Sequence, residues 1–284
     1  MKKIAVTGSG GFIGSNLVPY LRKLGHEVIE ITRSKNLNIA QWETLVEIPK
    51  CDVLIHLAAK TFVPFSFENP RAFYTVNQNS TINAFELARL WDAKVILMSS
   101  YFYGPPQYVP VDEEHPLNPH NPYAQTKLLS EIVAKGYCRD FNMSCIALRL
   151  FNIYGPSQDD SFLLPTILKQ AKKGDIVLKD PRPKRDFIHI NDVVAAIGLA
   201  VGYQAKNMEI FNLGSGTSYS VEEVVAIFQT TANNNCKVDY THEYRTGEVL
   251  DSLANIDKIK SKLGWIPKVT IEEGVASLFQ KLPK

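Results

Sequence analysis

Short apolar runs alternate along the first half of the chain with longer stretches in which apolar residues recur every three or four positions. Lys3–Thr7 (KIAVT) reads as a strand and runs into a cluster of glycines. Over residues 13–24, Ile13, Leu17, Leu21 and Leu24 share one helical face, and Gly25 supplies the stop. Pro19 conflicts mildly with that helix and is expected to bend it. Glu27–Ile31 reads as a second strand. Residues 52–57 and 94–98 are continuous apolar runs, the pattern of strands buried on both faces. Helical patterns cover 71–91 and 123–141, and 144–150 reads as a further strand.

This alternation predicts an α/β fold with a Rossmann-type, doubly wound parallel sheet. After Gly155 the pattern loosens. Residues 162–173 look helical, Pro181 and Pro183 break the chain, 209–213 reads as a strand, and 221–229 and 271–279 read as helices. We expect residues 1–157, completed by about 186–214, to form the larger domain. Residues 158–185 and 215–284 are expected to form a smaller α/β C-terminal lobe.

Composition narrows the partners. The chain has 284 residues, 45% hydrophobic and 21% charged, with 31 Lys plus Arg against 29 Asp plus Glu and a net charge of +2. That supports a globular fold with a real core. It offers no basic face for nucleic acid. Cys51, Cys138, Cys145 and Cys236 are scattered, with no C-x-x-C, so reduced thiols are expected and no metal site. The start, MKKIAV, runs into glycine before any signal-peptide apolar region develops. The longest apolar run, 193–201, is about half of the roughly 18 residues a membrane helix needs. A cytoplasmic protein without membrane contact is therefore expected.

The first chemical motif is Thr7-Gly8-Ser9-Gly10-Gly11-Phe12-Ile13-Gly14, between a strand and a helix. Gly8 permits the tight turn, Gly11 lets a pyrophosphate approach the backbone, and Gly14 lets helix and sheet pack closely. The helix start offers N–H groups and a positive dipole end to phosphate. The spacing is G-x-x-G-x-x-G, with Ile13 at the last glycine position of G-x-G-x-x-G. Phe12 and Ile13 count with this loop as cofactor contacts. The end of the second strand selects the dinucleotide. Thr32 stands where NAD enzymes carry an acid for the ribose 2′-OH, with Arg33 beside it. A guanidinium suits a 2′-phosphate, which favours NADP over NAD. The alternative is that Arg33 is a solvated loop charge.

The second motif is Tyr123-Ala124-Gln125-Thr126-Lys127. Positions i and i+4 of a helix share a face, so phenol and ammonium can enter one cleft. A nearby cation lowers the tyrosine pKa and suits Tyr123 to acid/base work. Upstream, Met98-Ser99-Ser100-Tyr101-Phe102-Tyr103-Gly104 follows a strand, at the sheet end where open α/β sheets bind ligands. Ser99 or Ser100 could hydrogen-bond a substrate oxygen there.

With these motifs the chain resembles the extended short-chain dehydrogenase/reductase family, the NAD(P)-dependent nucleotide-sugar epimerases, dehydratases and reductases. The likeness runs from residue 3 to about 275. It includes H-L-A-A from His56, R-L-F-N-I-Y-G-P from Arg149, R-D-F-I-H-I-N-D from Arg185, R-T-G-E from Arg245 and L-G-W ending at Trp265. The resemblance implies that Ser99, four residues before Tyr103, is the catalytic hydroxyl, Tyr123 the acid/base and Lys127 its partner on the nicotinamide ribose. Asn77 falls near the cofactor ribose. Leu57, Ala58 and Ala59, followed by Lys60, line the adenosine side. Asn38 stands near where an Asp meets the adenine. Asn152, Arg185 and Arg245 match positions that hold the nucleoside diphosphate. A purely structural salt bridge or cap is the alternative for each of these three.

Departures from the pattern shape the expected reaction. Dehydratases carry an acidic pair where this chain has Ser100 and Tyr101, which are expected instead to face substrate. The nearest carboxylates are Asp112, Glu113 and Glu114, in a loop. Tyr101 resembles a tyrosine of some 4-ketosugar reductases. Reduction of an NDP-4-dehydro-6-deoxyhexose by NADPH is therefore expected. An NAD-dependent 4-epimerase on a UDP-hexose is the close alternative, and a non-catalytic cofactor-binding regulator the remote one. A homodimer through the two long helices follows from the same resemblance. His56 and His189, in apolar runs, are expected to be satisfied core histidines.

Overall fold

A computed structural model describes residues 1–232, 236–244 and 248–280. The chain divides into two compact units. The first comprises Met1–Gly104, Pro116–Leu150 and Val194–Phe211, and the second Pro105–His115, Phe151–Val193 and Asn212–Lys284. The proline-rich segment Pro105–His115 groups with the second unit, which resumes at Phe151 where 158 is expected; the first unit returns at Val194 where about 186 is expected and ends at Phe211 where about 214 is expected.

The first unit holds β1 (Lys3–Thr7), α1 (Phe12–Lys23), β2 (Glu27–Ile31), β3 (Val53–His56), α2 (Val63–Glu68), α3 (Pro70–Trp91), β4 (Lys94–Ser100), α4 (Pro122–Phe141) and β5 (Cys145–Leu150). The second contains β6 (Asn152–Tyr154), α5 (Leu163–Ala171), β7 (Asp175–Leu178) and β8 (Lys184–His189). Helix α6 (Ile190–Gly202) and strand β9 (Met208–Leu213) cross the division. Then come β10 (Ser218–Ser220), α7 (Val221–Ala232), β11 (Lys237–Tyr240), β12 (Asp251–Ser252), α8 (Asp257–Leu263) and α9 (Ile271–Gln280).

The main sheet has the order β2-β1-β3-β4-β5-β9, and its first five strands pair in parallel. Every residue of β3 and all but the last of β4 are buried, which is why both read as continuous apolar runs. Strand order reverses between β1 and β3, the switch point at which such sheets bind ligands. Pro19 lies within α1 without ending it. Leu24, counted on the buried face of that helix, lies past its end and is exposed.

Helix α6 was not legible as a helix. Val193, Val194, Ala196, Ile197, Ala200 and Val201 are all buried, so no polar stripe marks a 3.6-residue period. Its C-terminal carbonyls are gathered by Lys94, whose buried ammonium donates to the carbonyls of Ala200 (2.8 Å), Val201 (2.9 Å) and Tyr203 (2.6 Å). This satisfies the end of the helix.

In the second unit β8 is the hub. It pairs with β6 and β12 in parallel and with β10 antiparallel, and β7 pairs with β11. The buried Asp186 carboxylate accepts from the backbone of Ser215, Gly216 and Ala254 and from the Ser215 hydroxyl. Asp192 accepts from the backbone of Lys268 and Val269, and its carbonyl takes the Trp265 indole N–H at 3.1 Å. Two of the sequence motifs, the one ending at Asp192 and the one ending at Trp265, are thus bonded to each other. Among the described residues no helix is long and apolar enough to cross a membrane, and no cluster suited to a metal ion occurs.

Candidate active site

The glycine loop leaves β1 at the switch point. Gly8 has φ +69°, and a Cβ there would lie 2.9 Å from the backbone nitrogen of Ala58. A Cβ on Gly14 would lie 2.5 Å from Ser9 Cα. A side chain at Gly8 would collide with the backbone after β3, and one at Gly14 with the loop itself, so both positions require glycine for this close packing. No side chain caps α1 at Gly11, and its first turn carries no acid. By contrast, Asn69 caps α3 through Ala72 N (3.2 Å) and Asn121 caps α4 through Ala124 N (2.8 Å). The first-turn N–H groups of α1, around Phe12 and Ile13, are therefore presented to an anion. Ser9, in the same loop, has a buried hydroxyl with no partner. These observations fit a dinucleotide pyrophosphate.

Beside the loop, Thr7 Oγ1 accepts from the N–H groups of Leu57 and Ala58, both at 3.2 Å, and meets His56 Nδ1 at 2.8 Å. Its two acceptor sites are filled by N–H groups, so its own proton goes to His56 Nδ1. The imidazole proton then sits on Nε2, which faces Thr81 Oγ1 at 3.5 Å. Burial, reinforced by the Lys127 charge, pulls the His56 pKa down to about 3. His56 is thus a neutral, hydrogen-bonded core histidine.

The end of β2 lacks a carboxylate. Thr32 is followed by Arg33, which is exposed and has no side-chain partner among the described residues. The nearby Glu30 pairs with Arg22 at 2.9 Å and with Lys35 at 3.2 Å. Asn38 turns its carbonyl oxygen to Ala40 N at 3.2 Å and holds its own turn.

Asn77, expected near the cofactor ribose, is engaged by protein groups. Its Oδ1 accepts from Lys60 N at 2.8 Å, and its Nδ2 donates to Lys60 O at 3.1 Å and to Thr126 Oγ1 at 2.9 Å. The buried amide ties the segment after Ala59 to α4.

Tyr123 and Lys127 lie one turn apart on α4, as their spacing requires. The hydroxyl bonded to Tyr123 is that of Ser100. Ser99, the expected partner, is 2% exposed and donates to Glu131 Oε1 at 2.6 Å. Counting back from Tyr103 points to Ser99; the hydroxyl that bears on the phenol here is that of Ser100. Protein packed around the Tyr123 hydroxyl pushes its pKa up to about 12, and the Ser100 hydrogen bond pulls it down. Lys127 is held by the backbone of β4. Its ammonium turns to the Met98 carbonyl at 2.5 Å, and burial pulls its pKa down to about 8 while the Glu131 charge pushes it back up. Tyr101, next along, donates its backbone N–H to Leu150 O at 3.3 Å.

In the second unit, Asn152 Nδ2 donates to Asp186 O at 3.2 Å. The Arg185 guanidinium donates to the carbonyls of Lys184 (2.8 Å) and Val249 (2.6 Å) and pairs with Glu248. For Arg185 the salt bridge is thus present. Arg245 lies outside the described residues. A cavity of about 510 Å³ in this unit, bordered by Gly155–Gln158 and by Lys169 and Lys172 of α5, includes none of the expected site residues.

The model of the NAD dependent epimerase/dehydratase family matches residues 4–214. The chain belongs to that family. It is an NAD(P)-dependent enzyme of the epimerase/dehydratase type. It is 30% identical to the UDP-glucose 4-epimerase of Mycolicibacterium smegmatis, over 95% of each chain. A solved UDP-glucose 4-epimerase from Thermotoga maritima, with UDP-glucose, matches at TM-score 0.90 and 28% identity, over 98% of this chain and 97% of that one. A UDP-N-acetylglucosamine 4-epimerase from Methanobrevibacter ruminantium, in complex with UDP-N-acetylmuramic acid, matches at TM-score 0.87 and 26% identity, over 98% and 97%. Sequence reasoning did not single out Glu131, the hydrogen-bond partner of Ser99. Glu131 follows Lys127 by four residues, a spacing that could have pointed to it.

Proposed function

We propose that this chain is an NADP-dependent reductase acting at C4 of a nucleoside-diphosphate 4-dehydro-6-deoxyhexose. The observation that carries the reading is the end of β2, where an unpartnered Arg33 beside Thr32 replaces the acid of an NAD site. A 2′-phosphate suits that guanidinium. A reductase must exchange its cofactor each turnover, which fits NADPH, whereas an epimerase retains NAD. Gly8, Gly11, Phe12, Ile13 and Gly14 would hold the pyrophosphate, Leu57, Ala58 and Ala59 would line the adenosine side, and the cofactor supplies hydride when bound.

The chain's own groups handle the proton. Tyr123 Oη gives its proton to the C4 oxygen. Ser100 Oγ, already bonded to the phenol, stabilises the phenolate that remains. Lys127 holds positive charge behind the pair. Asn152, Arg185 and Arg245 bind the nucleoside diphosphate, with Glu248 as the group that Arg185 shares. Of the nearest loop carboxylates, Asp112 accepts from Tyr108 and Glu113 from Asn212 N, which speaks against dehydration chemistry.

A second reading, an NAD-dependent 4-epimerase on a UDP-hexose, is favoured by the names of the relatives. The deciding experiment is mass spectrometry of cofactor released from freshly purified, denatured protein, with binding constants for NADPH and NADH. Tighter, reversible NADPH binding supports the reductase. Retained NAD overturns it in favour of the epimerase. Exposed apolar residues on α3 (Tyr74, Ile82, Leu90) and α4 (Ile132, Phe141) support a homodimer through these helices, to be checked by light scattering. Cytoplasmic residence accords with four free cysteines, all buried.

A further inference from the structure

Three successive residues at the end of β4 are each held by a side chain from α4. Lys127 Nζ donates to the carbonyl of Met98, Glu131 Oε1 accepts from Ser99 Oγ at 2.6 Å, and Tyr123 bonds Ser100. The three helix positions, 123, 127 and 131, are four apart and form one stripe. Two of them belong to the acid/base motif, and the third is assigned no role by it.

Glu131 is itself held rigidly. Arg149, on β5, donates to it through Nε at 3.1 Å and through a terminal nitrogen at 2.9 Å, a two-bond fork. Ser99 and Arg149 are register partners in the sheet, so the carboxylate sits over both. Side-chain exposures are 1% for Glu131 and 2% for Arg149. The other end of the guanidinium donates to the Tyr103 hydroxyl at 2.9 Å and lies over the rings of Phe102 and Tyr103 at 5.1 Å. Both flanks of the segment 99–103 are therefore anchored to one ion pair. Such a pair contributes little to stability over a well-packed apolar pair of the same volume. What it supplies is fixed geometry.

We propose that Glu131 is a positioning residue for the Ser100–Tyr123 pair: locked by Arg149, its carboxylate holds Ser99 and so aims the neighbouring Ser100 at the tyrosine hydroxyl. The inference rests on the reading that Tyr123 and Ser100 carry the proton chemistry. Glu131→Gln alone strands the Arg149 charge in the core, so the test uses the double variant Glu131→Gln/Arg149→Met, which leaves no orphaned charge.

The readout is the ¹³Cζ resonance of Tyr123 at fixed pH in tyrosine-labelled protein, identified by its loss in Tyr123→Phe. Ser100→Ala sets the displacement caused by losing the hydrogen bond. The double variant, folded by circular dichroism, is expected to show at least half of that displacement, and kcat is expected to fall about tenfold with KM within about threefold. A displaced resonance in Ser100→Ala with an unmoved one in the double variant overturns the inference and leaves Glu131 with a structural role only. The resonance is read on the protein alone, so it decides the matter even if no nucleotide sugar is turned over, a result that would refute the functional reading instead.

Discussion

Ser99 and Ser100 are chemically identical neighbours, and the structure gives them opposite environments. Ser100→Ala removes the hydroxyl bonded to Tyr123. A hydrogen bond to a group that becomes charged contributes about 1.5–3 kcal/mol. At about 1.36 kcal/mol per tenfold in rate, kcat should fall about 10- to 150-fold. KM for the sugar should change little, because the bond matters most when the phenolate forms. Ser99→Ala removes a buried bond to Glu131, which keeps its fork to Arg149. That should lower stability by about 1.5–3 kcal/mol and reduce kcat by less than Ser100→Ala does. The assay is the initial rate of NADPH oxidation with an NDP-4-dehydro-6-deoxyhexose, beside urea denaturation of each variant. A larger kcat loss in Ser99→Ala than in Ser100→Ala would refute this assignment and restore the one counted from Tyr103.

Tyr123→Phe should abolish at least about 99% of turnover while cofactor affinity, read by fluorescence quenching, stays within about threefold. Arg33→Ser should weaken NADPH binding about tenfold or more and leave NADH binding nearly unchanged, measured by calorimetry. Asn77→Leu breaks three hydrogen bonds between Lys60, Thr126 and the amide, and should cost about 2–4 kcal/mol in urea denaturation. His56 has a folded pKa of about 3, below its unfolded value of about 6.5. The native state therefore binds fewer protons between these values, and stability falls as pH drops below about 6.5. At pH 5 the loss should be about 2 kcal/mol, and His56→Gln should flatten the stability profile between pH 6.5 and 4.

The Rossmann half was legible because its inner strands β3 and β4 are buried on both faces and its glycines stand between a strand and a helix. The Tyr123–Lys127 pair was legible because helical spacing alone places both on one face. The choice between Ser99 and Ser100 was not. It depends on which side chain of α4 each hydroxyl meets, Glu131 for Ser99 and Tyr123 for Ser100. The groups that engage the Asn77 amide, Lys60 and Thr126, and the one that pairs with Arg185, Glu248, were not legible either. Sequence shows that such groups are available, not what satisfies them. The second unit was the least legible. Its strands are short, and several, such as β10 and β12, are set by pairing with β8 rather than by local pattern.

The order of the main sheet also bears on how the chain is made. Strand β5 is buried along its whole length, and its outer neighbour β9 begins only at Met208, after the chain has passed through α5, β7 and β8. During synthesis, β5 must wait as an open edge for nearly sixty residues, in reach of other nascent chains. A fragment ending at Leu150 would keep the glycine loop and the Tyr123–Lys127 pair but expose that apolar edge. It should aggregate, whereas a fragment extended through Leu213 would have the edge covered. The cofactor unit is therefore not a module that can be cut out of this chain at a single point.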